Sequence, residues 1–173
     1  MSDNRIIVVG STSDYNEIIY KKYGSEVLFL TDINESLSWE GFKPPLADEC
    51  LTDLTDYNRA IDNLISHMNI FKKKPVGVTC FDCESLPLAA RIACRLGLPF
   101  SKEESINLCR SKTASTELWQ LHGVPCPAGV SITGINDIPK GILTTGLPAV
   151  IKPATGSGSE LTFLVNSVFE AKE

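Results

Sequence analysis

The chain has 173 residues, 43% of them apolar and 21% charged, an ordinary globular composition. That excludes a disordered chain, a collagen-like repeat and a disulfide-dense miniprotein, and the length is enough to bury a real core. Net charge is −5, with ten basic and fourteen acidic groups up to residue 100 and six and seven beyond it, so neither part offers a platform for a nucleic-acid backbone. No apolar run approaches the ~18 residues of a membrane-spanning helix. Met1-Ser2-Asp3-Asn4-Arg5 leads straight into a strand without a signal peptide's apolar stretch, so a cytoplasmic location is expected.

Arg5–Gly10, Arg-Ile-Ile-Val-Val-Gly, is a short continuous apolar run closed by glycine, the pattern of a strand buried on both faces of a parallel sheet. A helix is expected over Asp14–Tyr23, stopped by Gly24, and a second strand over Glu26–Leu30. The Asp-, Pro-, Ser- and Thr-rich stretch 31–56 reads as mostly loop. Over Asp56–Phe71 the residues Tyr57, Ile61, Leu64, Ile65 and Met68 recur at helical spacing. Lys72-Lys73-Lys74 reads as a solvated turn, Pro75–Cys80 as a third strand. Glu84–Leu96 follows as a helix, with Leu86, Ala89, Ala93 and Leu96 on one stripe and Gly97 as its stop. Strand and helix in alternation over a hundred residues define an α/β layer with a parallel sheet.

After Pro99 the pattern changes. Ser101–Asn107 and Ser111–His122 read as two helices, the second with Ala114, Leu118 and Leu121 on an inner face and His122 capping its end before Gly123. Residues 127–147 hold four glycines and two prolines and read as a looser connection. Pro148–Lys152 and Leu161–Val165 are expected strands around the loop Ala154–Ser159, forming a hairpin with a mobile tip rich in backbone N–H groups. Ser167–Glu173 begins like a helix and stops after seven residues, which reads as a domain cut short or completed by a further domain or chain.

Several groups could carry chemistry. In Lys152-Pro153-Ala154-Thr155-Gly156-Ser157-Gly158-Ser159, glycines admit close approach of an anion, successive N–H groups can cradle phosphate, and Lys152 adds a compact charge. A flexible hairpin with an exposed lysine explains the same residues. The segment is not a Walker loop, because its lysine precedes the glycines. Gly10-Ser11-Thr12-Ser13 could meet an anion at a helix start or be a plain turn. Glu84, at the carboxyl edge of the sheet, could hold a substrate amine or serve the helix dipole. The six cysteines, at 50, 80, 83, 94, 109 and 126, read as buried thiols; Cys80 and Cys83 have a redox-like spacing, and a second ligand pair for zinc is missing.

Lys-Pro-x-x-Gly-x-Gly-Ser between two strands resembles the phosphate-binding hairpin of the ATP-grasp carboxylate–amine ligases, nearest to the carbamoyl-phosphate synthase, biotin carboxylase and amino-acid ligase branches. The stretch Glu84-Ser85-Leu86-Pro87-Leu88-Ala89-Ala90-Arg91, with Arg95-Leu96-Gly97-Leu98-Pro99, is similar to the last helix of that family's N-terminal domain. Cys109-Arg110-Ser111-Lys112-Thr113 and Leu121-His122-Gly123-Val124-Pro125-Cys126-Pro127 are similar to its linker and first lysine. The resemblance implies a Rossmann-like pre-ATP-grasp domain over residues 1–100, a helical linker over 101–125 and the first part of an α+β ATP-grasp domain over 126–173.

It also implies that Lys112, Lys152, Gly156, Ser157, Gly158 and Ser159 bind ATP. ATP would activate a small-molecule carboxylate as an acylphosphate for attack by an amine, with Mg²⁺ held by residues outside this chain; a homodimer is compatible. Glu160-Leu161-Thr162 departs from the family's usual continuation. Two other functions stay in view: a non-catalytic nucleotide- or partner-binding module of the same fold, and a dithiol oxidoreductase using Cys80 and Cys83.

Overall fold

A computed structural model of the chain describes residues 3–156, 158–159 and 161–173. It divides into two compact units, one ending at Glu103 and one spanning Glu104–Glu173.

In the first unit, four strands form a parallel sheet in the order β3-β2-β1-β4. They are β1 (Asn4–Val9), β2 (Val27–Asp32), β3 (Glu49–Thr52) and β4 (Lys74–Cys80). Parallel neighbours need crossovers, and the helices α1 (Ser13–Tyr23), α2 (Ile33–Leu37), α3 (Tyr57–Ile70) and α4 (Leu86–Leu96) supply cover on both faces. Alternation along the strands sorts the core. Ile7, Val9, Leu28, Leu30 and Cys50 point to one side and meet Ala60, Leu64 and Met68 of α3 and Leu88, Ala89 and Ile92 of α4. Val8, Val27 and Phe29 point to the other and meet Ile19 and Tyr20 of α1. Each of the fully buried Leu, Ile and Phe side chains contributes ~1.5–3 kcal/mol.

The α/β reading of the sequence holds, with corrections. Stretch 31–56 is not mostly loop: it carries the end of β2, the helix α2 and the strand β3. Glu49-Cys50-Leu51-Thr52 escapes a hydrophobic pattern because its first residue is a carboxylate, and its strand conformation comes from pairing with β2. The Glu49 carboxylate accepts a hydrogen bond from the Thr31 hydroxyl at 2.9 Å across that pair. Helix α4 begins two residues later than expected, after Glu84 rather than on it.

Buried charge gathers at the amino ends of the strands. Asp48, just before β3, lies 3.0 Å from Lys73 Nζ and 3.7 Å from Arg5 Nε, with all three side chains at most 10% exposed. Tyr20 of α1 donates to the same carboxylate at 3.0 Å. The middle lysine of the predicted solvated turn is therefore buried in an ion pair. His67 of α3 lies nearby, its pKa lowered mainly by burial.

The second unit holds α5 (Glu103–Arg110, which begins at the unit boundary), α6 (Lys112–Leu121), α7 (Ile138–Thr145) and an antiparallel pair of strands, β5 (Ala149–Ile151) and β6 (Phe163–Val165). Helix α7 replaces part of the expected loose connection: Asp137 opens it after accepting bonds from the Thr133 and Gly134 amides. The stripe read on α6 is not buried, Leu121 being 79% exposed, while His122 does cap that helix through its N–H. In place of a terminal helix there is a single 3₁₀ turn, Glu170–Lys172.

Burial raises the pKa of Glu49 above its ordinary 4.5. The unfolded chain therefore loses this proton first, and the group favours folding below about pH 4.5 and opposes it once pH passes the raised value. Glu49→Gln should raise the melting temperature at pH 7 and leave it nearly unchanged at pH 4; thermal unfolding at the two pH values checks the sign.

Candidate functional site

Two places hold the candidate chemistry, one in each unit. In the first, the strand order sets the geometry. The chain starts at β1, adds β2 and β3 on one side, and returns to add β4 on the other. Helix α1 follows β1 and packs on one face of the sheet, α4 follows β4 and packs on the other, and the turns between them meet at the carboxyl edge, where ligands of open α/β sheets gather.

Gly10 leaves β1 with φ +62°, its N–H bonded to Leu30 O at 3.1 Å. A Cβ on it would stand 2.4 Å from Ser85 Oγ, so this glycine meets both a conformational and a spatial requirement. Opposite lies Phe81–Ser85. Asp82, missed in the sequence, organises it: the carboxylate accepts from the Glu84 N–H at 3.1 Å, the Ser85 N–H at 3.0 Å and the Ser85 hydroxyl at 2.7 Å. The signal was present, since an aspartate commonly bonds the amides two and three residues on. Glu84 itself is exposed on this turn. Tyr15 and Phe81, both more than half exposed, stack at 6.2 Å with their planes 7° apart. Ser11 Oγ and both side-chain polar atoms of the fully buried Asn16 have no hydrogen-bond partner among the described residues.

The cysteines do not make a dithiol centre. Cys80 donates to Asp82 O at 3.0 Å, and burial pushes its thiol up to about 11, so at neutral pH it is protonated and a poor nucleophile. Cys50 is buried, as expected, but Cys83, Cys94 and Cys109 are exposed. Among the described residues, no three His, Cys, Asp or Glu side chains gather in a way that could hold a metal ion.

The second place is the β5–β6 hairpin. Val150 pairs with Leu164 and Ile151 with Phe163, which leaves Lys152 just past the end of β5 and exposed. Among the described residues of the connecting chain, Gly156 has φ +100°, Gly158 +71°, Ser159 +59° and Leu161 +51°. Ser157 and Glu160 lie outside the described residues.

Lys112 joins this loop from the start of α6, whose first turn Ser111 caps by accepting from the Ala114 N–H at 3.2 Å. The Lys112 N–H donates to Ala154 O at 2.8 Å, and its ammonium donates to Gly156 O at 3.0 Å. Lys112 and the glycine loop, forty-odd residues apart in sequence, are thus in direct contact. Lys152 flanks the same loop and has no hydrogen bond or ion pair among the described residues. The two lysines put two positive charges at or next to the β5–β6 connection in sequence, and only Lys112 is bonded to it among the described residues. Among the described residues, the site supplies no carboxylate cluster that fits Mg²⁺.

No family model matches the chain. A curated relative, the uncharacterized protein y4rH of Sinorhizobium fredii (strain NBRC 101917 / NGR234), is 34% identical over 97 residues, 56% of this chain and 20% of that one. Among solved structures, the L-amino acid ligase of Bacillus licheniformis superposes with a TM-score of 0.74 at 19% identity, over 98% of this chain and 40% of that one. The N5-carboxyaminoimidazole ribonucleotide synthetase of Thermus thermophilus gives 0.64 at 20%, over 96% and 42%. The N5-carboxyaminoimidazole synthetase of Staphylococcus aureus complexed with ADP gives 0.58 at 18%, over 97% and 43%. The chain shares the fold of a part of each of these ligases and synthetases. It spans about two fifths of their length and one fifth of the curated relative's.

Gly10→Ala should cost more stability than Gly97→Ala. Both residues have positive φ, +62° and +66°, but Gly97 has nothing within 4 Å of an added Cβ. The backbone term alone is ~1–2 kcal/mol; chemical denaturation of the two variants isolates the excess due to Ser85.

Proposed function

We propose that the chain is part of an ATP-dependent ligase that activates a carboxylate as an acylphosphate for attack by an amine or similar nucleophile. The observation that carries this reading is the convergence of Lys112 and the left-handed glycine loop after Lys152. The fold supports it, and so does the ADP carried by one solved neighbour.

On this reading residues 1–100 are the pre-ATP-grasp domain, 101–125 the linker and 126–173 the first part of the nucleotide-binding domain. Lys112 and Lys152 neutralise phosphate oxygens, while the backbone around Gly156, Gly158 and Ser159 donates to them. The residue type of Ser157 fits the same role. Such catalysis is positioning and charge neutralisation. A carboxylate oxygen takes the terminal phosphoryl group and ADP leaves; the nucleophile then adds at the acyl carbon and inorganic phosphate leaves with the oxygen it gained. At the carboxyl edge of the first unit's sheet, the exposed Glu84 would hold the amine of a substrate. Mg²⁺ would come with the nucleotide, and its protein ligands are not among the residues described. No helix among those residues is long and apolar enough to cross a membrane, and a cytoplasmic site of action is part of the proposal.

A second reading, a module of this fold that binds nucleotide or a partner without turnover, is favoured by one feature. Glu160 directly follows the Gly-Ser-Gly-Ser run, and a carboxylate there repels a polyphosphate.

Calorimetric titration with Mg²⁺–ATP tests both. Lys152→Ala should weaken binding about tenfold or more, the worth of a hydrogen bond to a charged group, and should leave the melting temperature unchanged because the side chain is exposed. Equal affinity in wild type and variant would place Lys152 outside the site. Binding without carboxylate-dependent release of ADP would select the second reading.

A further inference from the structure

We infer that Asn16, on the buried side of α1, binds an internal water molecule, and that residues 39–45 are the strap that closes this site. The site lies wholly in the first unit and is independent of what the β5–β6 hairpin binds.

Alone among the residues of α1, Asn16 is fully buried. Its neighbours fix where it points. With a turn every 3.6 residues, Ser13, Asn16 and Tyr20 fall within about 60° of one another around the helix. Ile19 and Tyr20 pack on Val8, Val27 and Phe29, so this side of α1 faces the sheet. Asn16 stands one turn nearer the carboxyl edge than they do. Thr31, two residues past Phe29 on the same face of β2, is also buried.

The strap shuts the flank. Ser13 Oγ donates to Phe42 O at 3.1 Å, and the Phe42 and Tyr20 rings lie 5.4 Å apart. Phe42 therefore touches α1 one turn before Asn16 and one turn after it. Gly41 passes so close that a Cβ on it would stand 2.6 Å from Ser13 Oγ.

A primary amide offers two N–H donors and an oxygen with two lone pairs. In Asn16 neither side-chain atom has a partner among the described residues, while its backbone N–H goes to Thr12 O at 2.9 Å. Enclosing such groups unpaired is costly, and a leucine there would avoid the cost. A buried polar group of this kind is the ordinary seat of an internal water, which makes about three hydrogen bonds. Ser11 directly precedes Thr12, and its enclosed hydroxyl also lacks a partner among the described residues. The Thr31 hydroxyl donates to Glu49 and keeps its lone pairs as acceptors. With Asn16 wholly enclosed, a molecule of water's size fits under the closed strap and a larger solute does not. Exchange with bulk water then requires the strap to lift.

Nuclear magnetic resonance of the full 173-residue chain, isotope-labelled in nitrogen, tests both parts. The Asn16 side-chain resonance, assigned by its loss in Asn16→Leu, should give an Overhauser peak to water of the sign that a long-lived bound molecule produces. The peak should remain in Ser11→Ala and in Thr31→Val. Phe42→Ala should speed hydrogen exchange of this side-chain amide about tenfold or more by removing apolar burial. Ser13→Ala should speed it about threefold, the worth of one hydrogen bond. Phe81→Ala, which alters the ring stacked on Tyr15 on the other flank of α1, should leave it unchanged.

Backbone protection of β1 and β2 in the same spectra shows that each variant is folded. Absence of the water peak in wild type would overturn the bound water. A peak lost in Ser11→Ala or Thr31→Val would assign it to relay through that hydroxyl and overturn it equally. Wild-type exchange in both Phe42→Ala and Ser13→Ala would overturn the strap.

Discussion

A carboxylate taken out of water must be paired, hydrogen-bonded or protonated, and Asp48, almost fully enclosed, is paired and hydrogen-bonded. Its partners are distributed so that one side chain ties four elements. Arg5 lies in β1, Lys73 precedes β4 by one residue, Tyr20 belongs to α1, and Asp48 itself leads into β3. The Lys74 N–H donates to Asp3 O at 2.8 Å in the same corner. Against well-packed apolar replacements the cluster need not be a net gain, but loss of any one partner leaves a buried charge uncompensated. The amino ends of the strands are thereby set level. At the far end of the same pair, Val9 stands beside Cys80, and the turns that follow, Gly10 and Phe81, emerge side by side. The turns at the carboxyl edge take their alignment from the β1–β4 register, whose other end the ion cluster ties.

How much of this was written in the sequence depends on the range of the interaction. The apolar run of β1 marks a strand inside a parallel sheet, Pro75–Cys80 marks the strand that β4 became at the sheet's edge, and α3 advertises its inner face by spacing. Local chemistry was equally visible at His122, where glycine follows and the helix ends. β3 was not visible. Glu49 and Thr52 are polar, the segment is four residues long, and what makes it a strand is β2 alongside and the Thr31 hydroxyl. The same limit applied to Lys73, which sequence assigns to a solvated turn because its partner Asp48 lies twenty-five residues away. Asp82 is the opposite case: its bonds are local, and attention to the more obviously placed Glu84 hid it.

The second unit follows another economy. Its buried apolar residues, among those described, are Ile106, Ile138 and Val165, whereas the first unit buries a continuous core around Leu28, Leu30, Leu64, Leu88 and Ile92. Val150 and Leu164 form a cross-strand pair and are both more than half exposed. With so little packing, position is held by polar ties: Asp137 on the Thr133 and Gly134 amides, Ser111 on Ala114, and Lys112 on Ala154 and Gly156. Hydrogen bonds at exposed sites are individually modest.

That difference bears on how a phosphate motif is read. Lysine–proline, a glycine–serine run and a second lysine forty residues earlier are legible because charge and backbone freedom are properties of residue type. Nothing in residue type marks Gly156 O as an acceptor, since every residue carries a carbonyl. The sequence therefore names two equivalent cations, and the structure makes them inequivalent: Lys152 stands exposed beside the loop, while Lys112 is built into it at both its backbone and its side chain.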